Sequence, residues 1–410
     1  MKRICFCFQL HIPLILRNYR FFDVGQNHQY FNEAEVAGRI KQVTKNILLP
    51  FIEMLGQLHS ETTGMFKAGI SISGATLQLL QKNAPNTIEL LNKLQQNNCI
   101  EFLSEPWSHS LLPFTGKNLL AEQIKRHDTC IKEVFGSTPK VFFAYTPNST
   151  LPLLAATVAE QKIGIIAYAD SLSNNKAQTN TAIRQPLNEQ PGVLIDQTTS
   201  QIFGKIDFDP NFHTLASYAS ATTARIVRNI LSRSPLIIVF NPVQRIKPFT
   251  LNQVLVWKTV IQQLHNVYNF QYSLPSQIVK QTKFPVSDAN SSEKLLQHFQ
   301  LPDFWLNSKM QREVFARQKA LNTLLVPVNN SSLQSTWDTV QDMDNLFFMS
   351  NHFLKPSFAA RYFSPYTSPY MAYINYMNVL DDIQSRLIKE TRNVIPKTNL
   401  RRKKKETVSG

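Results

Sequence analysis

The chain reads as an α/β protein: a parallel sheet covered by helices on its outside, followed by a helical C-terminal region. Three observations predict this. Short apolar runs rich in branched and aromatic residues alternate with longer segments of helical period up to about residue 284. These runs are almost continuously apolar, as strands buried on both faces must be. Beyond residue 284, helical patterns succeed one another without strands between them. An open doubly wound sheet and a closed barrel both satisfy the alternation, and periodicity does not choose between them.

Taken in order, the strand candidates are residues 4–8, 66–72, 100–103, 141–143, 163–168 and 236–240. Between them, residues 117–135 set Leu120, Ile124, His127, Ile131 and Val134 at alternating four- and three-residue spacing, the stripe of an amphipathic helix. Residues 251–264 repeat the pattern with Leu251, Leu255, Ile261 and Leu264. The polar stretch 170–182 is a surface loop, and 285–292 is a turn-prone connector. Helical segments then follow at 305–325, 335–353 and 369–389, with Pro365 and Pro369 bracketing the start of the last. The expected organisation is a first domain over 1–284, a helical region over 293–390 and a basic disordered tail over 391–410.

Composition bounds the function. At about 150 residues per domain, 410 residues correspond to two or three domains, or to one large barrel with an appendage. Hydrophobic residues make up 43% and aromatic residues 10%, enough for a sizeable core and too many for a mainly disordered chain. No apolar run reaches the roughly 18 residues of a membrane span. The net charge of +15 is uneven, because residues 386–410 hold nine basic and two acidic side chains. No aromatic residue is interleaved with the run from Arg401 to Lys405, so a solvated tail is expected, not a nucleic-acid site. Cys5, Cys7, Cys99 and Cys130 are too few and scattered for a disulfide framework, which fits a reducing, cytoplasmic setting. The basic start followed by residues 4–16 mimics a secretory signal, but Gln9, His11 and Pro13 interrupt it and a buried first strand fits better.

In a parallel α/β unit, ligands gather where loops leave the carboxyl ends of the strands. After the first strand comes His11-Ile12-Pro13, after the second Ser71-Ile72-Ser73-Gly74, and after the third Ser104-Glu105-Pro106-Trp107-Ser108-His109-Ser110. The third is the richest, with a carboxylate, an indole and an imidazole within five residues. Indole faces stack on sugar rings, while Glu and His suit hydroxyl hydrogen bonds. Each residue also has a purely structural use: His11 as a core histidine, Trp107 as filler at the mouth of the sheet, Glu105 and His109 as caps for the next helix.

Several stretches resemble the bacterial α-amylase-like branch of glycoside hydrolase family 57. They are Phe8-Gln9-Leu10-His11-Ile12-Pro13, Tyr19-Arg20-Phe21-Phe22-Asp23-Val24-Gly25, Phe66-Lys67-Ala68-Gly69-Ile70-Ser71-Ile72-Ser73-Gly74 and Ile100-Glu101-Phe102-Leu103-Ser104-Glu105 with His109-Ser110-Leu111. Phe135 to Phe142, Tyr362 to Tyr366, Ser368-Pro369-Tyr370 and Ile374-Asn375-Tyr376-Met377-Asn378-Val379-Leu380 extend it over all but the tail. The resemblance implies an incomplete (β/α)7 barrel of the glycoside hydrolase/deacetylase type with a C-terminal helical region. It further implies α-glucan chemistry with retention of configuration and neither metal nor organic cofactor.

Retaining glycosidases need two carboxyl groups about 5–5.5 Å apart, one nucleophilic and one kept protonated as the acid. By resemblance, the nucleophilic Glu follows the strand ending Lys140-Val141-Phe142, and the acid Asp follows the strand ending Ile238-Val239-Phe240. Both are missing. Residues 141–159 contain no Asp or Glu, and the nucleophile position falls at or beside Pro147. Residues 236–249 contain none either, and the acid position falls at Asn241 or Pro242. Proline has no heteroatom to attack an anomeric carbon, and an amide does not protonate a glycosidic oxygen. Among the acids that remain are Glu101, Glu105, Asp170, Asp196, Asp207 and Asp209. The expectation is a family 57-like protein that has lost its acid/base pair and binds an α-glucan, a maltooligosaccharide or a partner, with His11, Glu105, Trp107 and His109 lining the site. Two alternatives are an active retaining hydrolase or 4-α-glucanotransferase with relocated carboxylates, and a protein-interaction platform with a basic tail. Oligomeric state is left open.

Overall fold

The computed structural model describes residues 2–111, 117–147, 157–158, 161–168, 183–184, 191–195, 197–206, 213–230, 236–240, 248–281, 306–325, 328–350 and 364–394. The chain divides into two compact units. One comprises residues 1–13 and 33–302, the other 14–32 and 303–410.

The first unit is built on strands β1 (Lys2–Leu10), β2 (Ala68–Ile72), β3 (Ile100–Leu103), β4 (Val141–Pro147), β5 (Gly164–Tyr168), β6 (Ile183–Arg184), β7 (Pro191–Ile195), β8 (Leu236–Phe240) and β9 (Phe270–Tyr272). Its helices are α1 (Glu33–Val43), α2 (Leu49–Glu61), α3 (Gly74–Asn83), α4 (Pro85–Gln96), α5 (Lys117–Phe135), α6 (Gln197–Gly204), α7 (Leu215–Ile230), α8 (Leu251–Asn266) and α9 (Pro275–Gln281), with a π-helical turn at Thr44–Leu48. The strand order is β3-β2-β1-β8-β7-β5-β4, parallel throughout. β9 adds to the start of β1, and β6 pairs antiparallel with β7.

The two ends of that order meet at a single parallel bridge, Ser104 with Phe142. The sheet therefore curls round until its edges touch without forming a ladder. This is the incomplete seven-stranded arrangement the sequence motifs imply. The seam is also tied through side chains. Ser104 Oγ donates to Asp128 Oδ1 on α5 (2.7 Å), Lys162 is ion-paired with Asp128, and Lys162 Nζ donates to the Pro139 carbonyl at 2.8 Å. Burial pushes the Asp128 carboxyl up, but His127, the Lys162 ammonium and the Ser104 hydroxyl outweigh it and hold it below its ordinary value.

Alternation along β1 sorts its two faces. Phe6 rests on Phe66, Phe203 of α6, Trp257 of α8 and Tyr272, and Phe8 on Phe51 of α2 and Trp257. The even positions thus face the helices, which leaves Cys5, Cys7 and Gln9 on the inside of the curl. Register puts Gly69 beside Cys7 and Glu101 beside Gly69, so all three share that inner face. A side chain at Gly69 would lie 2.5 Å from Pro275 Cγ, so the start of α9 fills the interior there. Glu101 Oε2 accepts from Ser276 N at 3.0 Å, which caps α9.

The second unit holds α10 (Lys309–Leu325), α11 (Ser331–Val340), α12 (Asp344–Phe347) and α13 (Pro369–Val394). Of the helical segment expected over 335–353, the described residues form parts of two helices. α11 closes at Val340, whose carbonyl accepts from Asn345 Nδ2 (3.1 Å), and Asp342 Oδ1 accepts from Asp344 N (3.0 Å) to open α12. Likewise α10 begins at Lys309 and not at residue 305, because Ser308 Oγ accepts from Gln311 N at 3.1 Å as its cap.

Residues 14–32 are strapped to α13. Asn375 Oδ1 accepts from Tyr19 N (2.6 Å) and Asn378 Nδ2 donates to the Tyr19 carbonyl (3.1 Å). The buried Asp382 carboxylate takes Gly25 N (2.6 Å), His28 Nδ1 (2.7 Å) and the Tyr30 hydroxyl. Hydrogen bonds to a charged group contribute about 1.5–3 kcal/mol. Asp382→Ala is expected to loosen residues 14–32 selectively, seen as faster amide exchange at Gly25 with the strands of the first unit unaffected. Unchanged exchange there contradicts the strap.

The basic tail, the loop 170–182 and the connector 285–292 fall outside the described residues, apart from residues 391–394 at the end of α13. Among the described residues no helix is long and apolar enough to cross a membrane.

Candidate active site

The carboxyl ends of β1, β2 and β3 deliver their side chains to one place. Glu105, two residues past β3, is fully buried, and both its oxygens are engaged. Oε1 accepts from Ser71 Oγ at 2.7 Å and Oε2 from His109 Nδ1 at 2.9 Å. A carboxylate only accepts, so His109 carries its proton on Nδ1 and turns Nε2 away from Glu105. Burial pushes the Glu105 carboxyl up. The His109 and His127 imidazoles and the Ser71 hydroxyl outweigh that and hold it below its ordinary value.

His109 adopts a left-handed backbone (φ +50°), a conformation costing of order 1–3 kcal/mol outside glycine. Two ring contacts hold it there. The His11 imidazole stacks on it with centroids 3.8 Å apart, and the Tyr145 ring of β4 lies 4.2 Å away. Tyr145 is fixed in turn by its hydroxyl, which donates to the Ser110 carbonyl at 2.6 Å.

His11 is oriented by the start of α3. Ser73 caps that helix, accepting from Thr76 N, and its hydroxyl donates to Thr76 Oγ1 at 2.9 Å. The Ser73 proton being spent, the 2.8 Å contact to His11 runs from His11 Nδ1 to Ser73 Oγ. His127 stands in the apolar stripe of α5 because it donates Nε2–H to the Ile72 carbonyl (2.8 Å), at the end of β2.

Trp107 occupies a different position. Trp107 is 1% exposed, packs against Gly74 and lies under the Arg126 guanidinium, 3.7 Å from the ring centroid. The four residues expected to line the site thus separate into a cluster, in which Glu105 and His109 are hydrogen-bonded and His11 stacks on His109, and a buried indole. Glu105 spends both carboxylate oxygens on Ser71 and His109 and so does not cap α5, which starts at Lys117. Pro147 ends β4, while Asn241, Asp170, Asp196, Asp207 and Asp209 lie outside the described residues. The partners that strand-end reasoning leaves out are Tyr145, Asp128 and Lys162. His127 left a trace, as the one polar member of an otherwise apolar stripe.

The glycosyl hydrolase family 57 model matches residues 5–219, more than half of the chain and all of this site. The chain belongs to glycosyl hydrolase family 57. A Methanocaldococcus jannaschii protein described as "Putative alpha-amylase" is 22% identical over 420 residues, covering 93% of this chain and 84% of that one. Among solved structures, the GH57-type branching enzyme from Pyrococcus horikoshii superposes with a TM-score of 0.61 at 10% identity, covering 96% of each chain. The 4-alpha-glucanotransferase from Thermococcus litoralis gives 0.56 at 13% identity, over 84% of this family 57 chain and 56% of its own length. The present chain therefore spans little more than half of the glucanotransferase. At these identities the structural likeness is one of fold.

Proposed function

We propose that this family 57 protein binds an α-glucan or maltooligosaccharide at the carboxyl ends of β1–β4 without cleaving it. One observation carries the reading. Glu105, the carboxylate at the centre of the cluster, is committed to holding His109 and is kept below its ordinary pKa. A glycosidase acid needs the opposite: a carboxyl raised until it is protonated at neutral pH. A nucleophile needs an oxygen turned to the sugar, and here both are bonded to protein. Glu101 is spent on the α9 cap. The absence of Asp and Glu from residues 141–159 and 236–249 supports the same conclusion. The names of the M. jannaschii relative and of the two structural neighbours support α-glucan as the ligand class.

In this reading, His109 offers Nε2 to a sugar hydroxyl, while the His11 and Tyr145 rings packed on it set its angle. Trp107 supports the cluster from behind, since neither indole face is open to a pyranose. Titration calorimetry with maltoheptaose tests it. Binding is expected, with His109→Ala weakening it about tenfold or more, the worth of one or two hydrogen bonds at roughly 1.4 kcal/mol per decade. Absence of heat with the wild type, or binding indifferent to His109→Ala, contradicts the proposal.

A further inference from the structure

Apart from the strand-end cluster, α6 and α7 enclose an open cleft of about 530 Å³ lined by Gln201, Ile202, Lys205, Arg225, Arg228 and Asn229. Ile202, 5% exposed, forms its floor, and Lys205 and Arg228 stand exposed at its rim. Neither helix contains an acidic residue. Among the described residues none of the three cations has an ion-pair partner; Arg228 Nε leans only on the Ala224 carbonyl at 3.4 Å.

Cations near helix ends have an ordinary use, because a helix C-terminus carries about half a negative charge. Arg228 lies in the last turn of α7, and Lys205 follows the last residue of α6. Two such termini neutralise at most about one of the three charges, which leaves an excess of about two. Left unpaired, three like charges facing one cleft repel one another, and a bound anion removes that cost. Size narrows the class, since the cleft falls within the roughly 300–1,000 Å³ of small-molecule sites and exceeds what a bare ion fills.

We propose that this cleft binds a small phosphorylated molecule. Arg225 and Arg228 supply guanidinium forks to the phosphate, Lys205 a point charge, and the Gln201 and Asn229 amides meet the hydroxyls of the ester. The site is independent of the glucan reading. Calorimetry with glucose 6-phosphate, inorganic phosphate and phosphatidylcholine vesicles containing phosphatidylglycerol tests it on the full chain. The sugar phosphate is expected to bind more tightly than inorganic phosphate and to weaken at least tenfold from 50 to 300 mM salt. The double variant Arg225→Gln/Arg228→Gln, with circular dichroism confirming its fold, is expected to lose at least tenfold in affinity. No binding of either soluble probe at millimolar concentration, affinity unchanged in the double variant, or binding to the vesicles alone overturns the proposal.

Discussion

Gly74→Ala is expected to destabilise the first unit by about 3 kcal/mol, at the upper end of what overpacking a core costs. The added methyl would lie 2.0 Å from Trp107 Cδ1 and 2.2 Å from its Nε1. The ring has nowhere to go, because Arg126 covers it at 3.7 Å and only 1% of Trp107 is exposed. Relief by moving the backbone instead would displace Ser73, the preceding residue, and with it the bond that orients His11. Thermal or denaturant unfolding reads the effect, and Trp107→Leu supplies the control. In the Gly74→Ala background the smaller side chain makes room for the methyl, so the two changes are expected to couple by about 1–3 kcal/mol and not to add. Strict additivity would place the strain elsewhere.

Glu105→Gln is expected to cost about 2–3 kcal/mol, since it replaces two charge-assisted bonds with one neutral acceptor and a misplaced donor. The pH dependence carries its signature. The folded carboxyl sits below its ordinary value of 4.5, so between the two values the unfolded chain binds more protons. The stabilisation is therefore complete above about pH 5 and is lost as pH falls through the folded value. Asp128, lowered in the same direction, adds to this slope. The wild type is expected to lose stability more steeply below pH 5 than Glu105→Gln, which keeps only the Asp128 share. Parallel curves would show that Glu105 is not held ionised by His109.

Much of this architecture was legible in the residues, for a physical reason. Strands buried on both faces must be apolar throughout, and the six runs read as strands fall at β1, β2, β3, β4, β5 and β8, those at β2 and β5 starting two residues and one residue early. The helix read from Leu120, Ile124 and Ile131 is α5, end to end. The strands left unread are those where that rule weakens. β9 has three residues, β6 has two, and β7 opens on Pro191-Gly192, which reads as a turn.

Within the site, His11, Glu105 and His109 were visible because strand ends can be located from the runs. Their partners were not, since nothing local to Tyr145 or Asp128 says what lies across the sheet. Trp107 shows the limit from the other side: an indole near a carboxylate suggests a sugar platform, and only its 1% exposure, packed against Gly74 and under Arg126, shows that it is not open to one. The strap of residues 14–32 left a subtler mark. Asn375, Asn378 and Asp382 stand at i, i+3 and i+7, a polar stripe on a helix that otherwise buries Ala372, Tyr376, Val379, Leu380 and Ile383. Such a stripe signals a bound backbone, but not which one.

On the proposed reading, this family 57 chain binds sugar at its strand-end cluster and carries neither a catalytic acid nor a nucleophile. Release of reducing ends from amylose and maltoheptaose by the purified chain, measured from pH 4 to 8 at high enzyme concentration, tests it most directly. No release above the uncatalysed rate is the predicted result at any pH. Turnover that disappears in Glu105→Gln or Asp209→Asn would contradict the claim and make the protein a retaining enzyme with relocated carboxylates.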